Sequence, residues 1–284
     1  MELVVLDGYT TVSYTHLFTA GVLDVFMEAE LDFPYVIGVS AGALSGLNYI
    51  SRQPFRTARI NIDYVNDSRY LGMKSLVKTH SIFNFDFLFG ELSEELIPFA
   101  WKTFEESDKR FVAVSTDCNT GEALYHEKGL SQDILLAARA SSSMPLLAPM
   151  VNVDGFECLD GGICNPVPFR KAMEEGYEKL VLVLTRQEGY RKEPSRAMEA
   201  VYQRYYKKYP NLVNALCQME ENYNQVQEEI SGLEREGKCF VIRPEVPVSV
   251  SRIEKDTEKL EDLYTAGRRV AFRRMEALKE YLKA

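Results

Sequence analysis

The sequence predicts an α/β fold in which a mainly parallel central sheet is covered by helices on both faces. Short apolar segments alternate with longer amphipathic segments, the pattern of strand–helix units that build a parallel sheet. A hydrophobic content of 46% over 284 residues supports a large core. The predicted strands are Leu3–Leu6, Tyr35–Ile37, Phe111–Ser115, Ala123–Tyr125, Met150–Val153, Phe156–Leu159, Leu180–Leu184 and Phe240–Ile242.

Helices are predicted between these strands and around the last of them. The segments that precede the seventh strand are Leu17–Glu28, Ala41–Ser51, Arg56–Asp63, Glu94–Phe104, Gln132–Ala140 and Phe169–Glu175. Later helical patterns occupy Ala197–Lys207, Leu212–Glu236 and Ile253–Leu282. Glycine disfavours a helix interior, so Gly267 is a candidate interruption of the last one.

The composition changes after Thr185, where residues 186–195 become polar and charged, as in a linker or an exposed loop. We therefore predict one domain over residues 1–186 and a mostly helical extension over residues 187–284 that packs on it. Apolar residues recur in the extension at spacings of three and four: Val213, Leu216, Met219, Tyr223, Val226, Ile230 and Leu233. This stripe predicts packing against the first domain, and a coiled-coil dimer is the alternative.

The charge balance excludes a general nucleic-acid-binding protein. The chain has 33 Lys and Arg against 42 Asp and Glu, a net charge of −9. The last helical segment is nevertheless locally basic, with Arg268, Arg269, Arg273 and Arg274 around Val270 and Phe272. Such a helix can make transient contact with an anionic membrane surface, and a solvated charged face is the alternative.

The cysteines and the start of the chain predict a cytoplasmic protein. The five cysteines, at positions 118, 158, 164, 217 and 239, form no Cys-x-x-Cys pair, which predicts neither a zinc site nor a disulfide framework. Met1 and Glu2 lead directly into a strand, without the features of a signal peptide, and no apolar run is long enough to span a membrane. No metal-ligand cluster is apparent, and no cofactor is predicted.

The candidate nucleophile is a serine between a predicted strand and a predicted helix. The segment is a Gly-x-Ser-x-Gly turn, Gly38-Val39-Ser40-Ala41-Gly42. In a nucleophile elbow, this pattern raises a serine hydroxyl above the end of a sheet. The start of the following helix also favours developing negative charge. The alternative is that Ser40 merely caps the helix.

A serine nucleophile needs a base, and the best candidate is an aspartate. None of the three histidines, His16, His80 and His126, lies in a segment with another sign of a site, and each is read as structural or solvated. Asp160 directly follows a strand and precedes two glycines, Gly161 and Gly162, that let the backbone turn tightly. A plain hairpin turn is the alternative, because Asp-Gly is a common turn dipeptide.

These motifs together resemble the patatin-like phospholipase family. The resemblance rests on the segments 38–42 and 160–162, on Ala140-Ser141-Ser142-Ser143-Met144-Pro145-Leu146 and on Phe18-Thr19-Ala20-Gly21-Val22-Leu23-Asp24, and it covers about residues 1–186. It implies a three-layer patatin-like fold and a Ser–Asp dyad without histidine. Ser40 would be the nucleophile and Asp160 the general base. Lipid or another acyl ester would be the substrate.

The chain departs from the family pattern in the loop that supplies the oxyanion hole. The resemblance implies a glycine-rich loop after the first strand, but only Gly8 remains of it before Tyr9–Leu17. Backbone N–H groups of Gly8 and Ala41 are the candidate oxyanion donors. The β-branched residues Thr10, Thr11, Val12 and Thr15 resist positive φ angles, so they would not readily present several N–H groups at one point.

Three explanations of this departure stay open. The loop is a sequencing artefact, because Val12–Leu17 resembles the translated end of a transposon used in library preparation; or it is a natural divergent loop; or the protein is a pseudoenzyme. Resequencing the native gene distinguishes the artefact from the others. The sequence-level hypotheses are thus a lipid acyl hydrolase, a soluble esterase or thioesterase with the same dyad, and a non-catalytic protein. Residues 66–90 are read as a lid or acyl-binding wall, or as plain core.

Overall fold

A computed structural model describes residues 2–7, 14–72, 81–250 and 254–284 of the chain. In these residues eight strands form one sheet, with the order β5-β6-β3-β2-β1-β7-β8 and with β4 paired to β3. The strands are β1 Glu2–Leu6, β2 Tyr35–Val39, β3 Arg110–Asp117, β4 Ala123–Glu127, β5 Val151–Val153, β6 Phe156–Asp160, β7 Lys179–Val183 and β8 Cys239–Ile242. The eight predicted strands are confirmed, with ends that differ by one or two residues.

The sheet is mainly parallel, as predicted. Strands β3, β2, β1, β7 and β8 are parallel neighbours, whereas β4 and β6 run antiparallel to β3. Side chains of the central strands alternate between two buried faces. In β1, Val4 and Leu6 face one cluster of core residues and Leu3 and Val5 face the other. Helices cover both faces, so the structure has the three layers of the predicted fold class.

The helices follow the predicted pattern, with two differences. Their bounds are α1 His16–Glu28, α2 Ala41–Ile50, α3 Arg56–Asp63, α4 Phe85–Phe89, α5 Trp101–Glu106, α6 Ile134–Ser141, α7 Phe169–Glu174, α8 Arg196–Tyr205, α9 Pro210–Arg235 and α10 Thr257–Lys283. Helix α4 was not predicted. It begins after Asn84, whose side chain accepts a hydrogen bond from the Phe87 N–H at 3.1 Å.

The single helix predicted over Glu94–Phe104 is wrong, because two elements replace it. A π-helical turn over Leu92–Leu96 is separated from α5 by an irregular segment that contains Pro98. Ile97, the residue before the proline, has φ −134° and ψ 78°, which is outside the helical region. Proline lacks an N–H group and disfavours helical geometry at the preceding residue, which explains the break.

Helices of the C-terminal region pack on the sheet. The apolar stripe of α9 is buried there, with Leu216, Tyr223, Val226 and Ile230 each 1% exposed or less. This packing is the intramolecular alternative to the coiled-coil dimer. The division of the chain at residues 186 and 187 stays a prediction.

Three of the four arginines of α10 have partners within the protein. Arg268 forms an ion pair with Glu28 at 2.9 Å, Arg273 pairs with Glu245, and Arg274 donates a hydrogen bond to the Val241 carbonyl at 2.8 Å. These contacts favour the alternative in which the basic residues form a solvated, paired face, although Phe272 is 77% exposed. No helix in the described ranges is both long and apolar enough to cross a membrane.

Helix α10 continues through Gly267 without interruption, because it crosses α1 there at very short range. A Cβ atom at Gly267 would lie 2.1 Å from the Phe18 carbonyl oxygen, and one at Gly21 of α1 would lie 2.2 Å from the Tyr264 carbonyl oxygen. Neither position has room for a side chain. The two glycines therefore let the backbones of α1 and α10 come into contact, which fixes the position of α10 on α1.

We expect Gly267→Ala to destabilise the protein by about 2 kcal/mol or more, since an added methyl group must separate α1 from α10. Gly232→Ala in α9 is the matched control, because a Cβ atom there has no neighbour within 4 Å. Alanine is the better helix former, so the control should gain about 0.5–1 kcal/mol. Urea unfolding of both variants measures the difference, and equal effects would contradict the close crossing.

Candidate active site

The two predicted catalytic residues lie where two strands meet end to end on one edge of β3. Val112 and Ser115 of β3 show the arrangement, because Val112 pairs with both β2 and β4, and Ser115 pairs with both β4 and β6. Strands β2 and β6 therefore share the edge of β3 opposite β4. Val39 of β2 pairs with Val114, and Asp160 of β6 pairs with Ser115, the next residue.

The carboxyl ends of β2 and β6 thus point at each other. Along β3, Val39 and Asp160 are one residue apart, a rise of about 3.3 Å. The chain cannot continue straight beyond Val39, because β6 occupies the next position on β3. It turns away at Ser40 into α2, and this turn places the serine beside the aspartate.

Ser40 has the backbone of a strained elbow. Its φ of 52° and ψ of −126° are rare for a residue with a side chain. Gly42 makes the turn sterically feasible, because a Cβ atom there would lie 2.6 Å from the Leu6 carbonyl oxygen of β1. The side chain of Ser40 makes no capping hydrogen bond to α2. The helix-cap alternative is therefore not observed.

Ser141, at the end of α6, holds the elbow in place. The Ser40 N–H donates to Ser141 Oγ at 2.8 Å, and the Ser141 hydroxyl donates to the Val114 carbonyl at 2.6 Å. This link fastens the turn to β3 at the junction of β2 and β6. Ser141 belongs to the segment 140–146 on which the family resemblance partly rests, but sequence reasoning gave it no role.

Asp160 is held rigidly and is fully buried. Its N–H donates to the Ser143 carbonyl at 2.8 Å, its carbonyl accepts from Thr116 Oγ1 at 2.8 Å, and its Oδ1 accepts from the Gly162 N–H at 2.8 Å. The other carboxylate oxygen, Oδ2, has no hydrogen bond of ordinary geometry to any described residue. One oxygen is thus used for positioning and the other is left available.

The pKa of the Asp160 carboxyl is affected by Ser40. Burial raises the pKa of the Asp160 carboxyl to about 8, and hydrogen bonding from the Ser40 side chain and the Gly162 N–H opposes the increase. The Ser40 hydroxyl therefore lies near enough to the carboxyl to affect its pKa, although Oδ2 has no hydrogen bond of ordinary geometry to a described residue. Such loose geometry is common between a nucleophile and its base before substrate binds.

We expect this buried carboxyl to make stability depend on pH. Between the unfolded value near 4 and the folded value near 8, only the folded state keeps the Asp160 proton. Wild-type stability should therefore fall as pH rises, by up to about 1.4 kcal/mol per pH unit from this group, and level off above pH 8. Asp160→Asn has no ionisable group at this position. The difference between its free energy of unfolding and that of the wild type should therefore grow in favour of the variant from pH 5 to pH 8, as measured by urea unfolding. A difference that does not change with pH would show that the carboxyl is not buried as described.

Beside Ser40 lies a deep, mostly apolar pocket. Its cavity volume is roughly 100 Å³, and Ser40 and Ala41 line it. Its apolar wall comes from α2 to α6 and the segments that join them to their neighbours: Leu44, Leu47, Ile60, Phe83, Phe85, Leu88, Phe89, Phe99, Trp101, Leu135 and Met144. Residues 73–80 lie outside the described residues; for the rest of residues 66–90, these contacts support the interpretation as a wall near Ser40.

The three histidines lie in different surroundings. His16, at the start of α1, lines the same pocket as Ser40, which sequence reasoning did not anticipate. His126 belongs to a separate polar chain, in which its Nε2 lies 2.8 Å from Ser115 Oγ and its Nδ1 lies 3.5 Å from Asp154 Oδ2. Although this resembles a Ser-His-Asp triad, Ser115 is completely buried and no substrate can reach it. His80 lies outside the described residues.

Of the two candidate oxyanion donors, Gly8 and Ala41, the structure describes only Ala41. Gly8 and residues 9–13 lie outside the described residues, whereas Tyr14 and Leu17 are buried in the core and α1 begins at His16. Ala41 is the first residue of α2, so its N–H group has no partner within the helix. Within the described residues, no group of three or more His, Cys, Asp or Glu side chains could hold a metal ion. All five cysteines are free thiols.

Comparison with known proteins agrees with this architecture. The patatin-like phospholipase family matches residues 16–173, and a domain of unknown function (DUF6363) matches residues 209–283. The uncharacterized protein YjjU of Escherichia coli (strain K12) is 27% identical over 260 residues, which are 89% of this chain and 71% of YjjU.

A solved structure shows the same fold. The crystal structure of VipD from Legionella pneumophila superimposes with a TM-score of 0.53 at 12% sequence identity, and the match covers 99% of this chain and 67% of the VipD chain. At that identity the likeness concerns the fold alone. Because the family match spans more than half of the sequence, the chain belongs to the patatin-like phospholipase family.

Proposed function

We propose that the protein is a lipid acyl hydrolase that cleaves carboxylic esters through a Ser40–Asp160 dyad and an acyl-enzyme. The observation that carries this proposal is the position of Ser40, which lies between the end of the strand that carries the buried Asp160 and a pocket with a mostly apolar lining. The dyad supplies the chemistry, and the pocket supplies a place for a hydrocarbon chain.

The proposed reaction has two steps. Ser40 Oγ attacks the ester carbonyl while Asp160 Oδ2 takes the hydroxyl proton and then returns it to the leaving alcohol, so that the C–O bond to the alcohol breaks and the acyl-enzyme forms. In the second step Asp160 takes a proton from the water that attacks the acyl carbon. The bond between that carbon and Ser40 Oγ then breaks, and Asp160 returns the proton to Oγ as the carboxylic acid is released. Only the ionised carboxylate can begin the first step, so the pKa near 8 matches the base to mildly alkaline pH.

The oxyanion intermediate needs hydrogen-bond donors. We propose the Ala41 N–H group, together with the positive end of α2, as donors from the described part of the chain. The N–H group of Ser40 is already bound to Ser141, so it is not available for this purpose. Gly8 stays a candidate from the sequence.

Two alternatives make different predictions about substrates. A soluble esterase or thioesterase would use the same dyad but gain little from a long acyl chain. A pseudoenzyme, suggested by the altered segment at Tyr9–Leu17, would hydrolyse none. The apolar lining of the pocket favours a hydrolase of long-chain esters over both alternatives.

We expect p-nitrophenyl decanoate to be hydrolysed with a kcat/KM at least about 10-fold above that of p-nitrophenyl butyrate, because each buried methylene contributes up to about 0.8 kcal/mol. Leu44→Trp should remove this preference by filling the wall near Ser40, and it should leave hydrolysis of the butyrate ester within a few-fold. Equal rates for both chain lengths would favour the soluble esterase. If no ester or thioester is hydrolysed, the proposal that the protein is a hydrolase is refuted.

A further inference from the structure

The apolar pocket beside Ser40 ends in a cluster of polar residues around a buried arginine. Arg56, the first residue of α3, lines the pocket and is only 6% exposed. Asn48, Thr57, Asn61, Tyr70 and Ser93 line the pocket around it. A pocket that only accommodates a hydrocarbon chain has no need of a guanidinium group.

The guanidinium is held in place by neutral acceptors. Nε and Nη2 donate to the Ile97 carbonyl at 3.2 and 2.9 Å, Nη2 also donates to Ser93 Oγ at 2.8 Å, and Nη1 donates to Asn48 Oδ1 at 2.8 Å. The Phe99 ring lies 5.1 Å from the central carbon. Because Nη1 carries two protons and uses one of them here, it keeps one N–H donor for another group.

The positive charge of Arg56 has no counter-ion. No carboxylate of the described residues lies within 4.0 Å of it, and the remaining positions, 1, 8–13, 73–80 and 251–253, contain no Asp or Glu. Burial lowers the pKa of Arg56 to about 10, so the group stays cationic at neutral pH. A buried charge is ordinarily paired, whereas this one has no carboxylate within ion-pair distance among the described residues.

The distance between Ser40 and this cluster is set by α2. Ala41 and Leu44 line the pocket near the elbow, and Asn48 lines it where it binds Arg56. Asn48 is seven positions after Ala41, which corresponds to about 10 Å along the helix axis. The residues of α2 that line the pocket between them, Leu44 and Leu47, are apolar, so the group that joins the two ends in a ligand should be a hydrocarbon chain.

We infer that Arg56 forms an anion subsite for acyl chains that end in a carboxylate, with the ester held at Ser40 and the terminal carboxylate paired with the free Nη1 proton. A single free donor suits one carboxylate oxygen, and an apolar linker suits an acyl chain better than a glycerophosphate headgroup. The inference rests on the proposed acyl hydrolase function, but its binding part is independent of hydrolysis.

The first experiment compares two esters of equal length. The p-nitrophenyl monoester of decanedioic acid ends in a carboxylate, and p-nitrophenyl decanoate ends in a methyl group. The ratio of their kcat/KM values should be above 1 for the wild type and should fall about 10- to 100-fold in Arg56→Met, the loss expected for one charge-assisted hydrogen bond. Arg56→Lys, which keeps the charge, should retain part of the preference.

Arg52→Met is the matched control, because Arg52 is exposed and pairs with Asp32 outside the pocket. It should leave the ratio unchanged. A purely structural role of Arg56 would lower both rates together and leave the ratio at its wild-type value, which would overturn the inference.

The second experiment measures binding to the Ser40→Ala protein by calorimetry, with decanoate and the neutral decanol as probes. Decanoate should bind at least about 10-fold more tightly, and Arg56→Met in the same background should remove the difference. If decanoate binds more tightly than decanol while no ester is hydrolysed, the anion subsite is supported and the proposed hydrolase function is refuted. If esters are hydrolysed and decanoate binds no better than decanol, the hydrolase stands and the subsite is refuted. A wild-type ester ratio of 1 or below, or equal binding of decanoate and decanol to Ser40→Ala, refutes the subsite without any Arg56 variant, so the inference can be overturned even if Arg56→Met does not fold.

Discussion

Replacing Ser40 by alanine is expected to lower kcat/KM for long-chain esters by about 10⁴- to 10⁶-fold, because a two-step reaction loses its nucleophile altogether. The fold should be unaffected, since the hydroxyl makes no capping hydrogen bond to α2 and does not hydrogen-bond Asp160 Oδ2 with ordinary geometry. Initial rates with p-nitrophenyl decanoate measure the effect, and equal midpoints of urea unfolding confirm that both proteins are folded.

Ser45→Ala is the control for this substitution. Ser45 is buried in the same helix, and its hydroxyl donates to the Ala41 carbonyl at 2.9 Å. It therefore tests the loss of a buried serine hydroxyl near the elbow without removal of the nucleophile. Activity within a few-fold of wild type is expected. A Ser40→Ala protein as active as Ser45→Ala would mean that another group attacks the ester.

Replacing Asp160 by asparagine is expected to lower kcat/KM by about 10²- to 10⁴-fold, the usual contribution of a general base. The amide oxygen of asparagine can still accept the Gly162 N–H, so the turn over residues 160–162 should be preserved. The amide cannot take a proton from Ser40. Initial rates at pH 8.5, where the wild-type carboxylate is mostly ionised, measure the effect.

The matched control for Asp160 is Asp154→Asn. Asp154 lies in the turn between β5 and β6 and interacts with His126 and Ser131, away from the pocket that Ser40 lines. It should retain activity within a few-fold. Full activity of Asp160→Asn would instead require a different base, and His16 is then the first candidate, because it lines the pocket with Ser40.

The sheet could be predicted from the sequence because its strands are short, apolar and separated by helical segments. Val4 and Leu6 in β1 and Val36 in β2 are buried, as local pattern alone required. The break at Pro98 and the short helix after Asn84 also have local signals, proline chemistry and a capping asparagine, which the periodicity of the apolar residues concealed. The continuity of α10 through Gly267 has no local signal, because its cause is the backbone of α1.

The candidate site could be predicted only in its parts. The sequence identified Ser40 and Asp160 from local turns that follow predicted strands, but it did not indicate how those two strands meet. The structure instead brings β2 and β6 together end to end on β3, and this register depends on strand pairing far apart in the chain. The surroundings of Arg56 are equally non-local. An arginine at the start of a helix is ordinarily solvated, and only the packing of α2, α3 and residues 93–97 reveals that this one is buried without a counter-ion.

The central claim, that Asp160 activates Ser40 as a nucleophile, is tested most directly by covalent labelling with a fluorophosphonate and peptide mass spectrometry. The account predicts a single adduct on Ser40, formed at a rate that rises with pH and levels off above about pH 8, as expected from the buried carboxyl of Asp160. The adduct should be absent in Ser40→Ala and should form at least about 100-fold more slowly in Asp160→Asn. An adduct on another residue, or equally rapid labelling of wild type and Asp160→Asn, would contradict it.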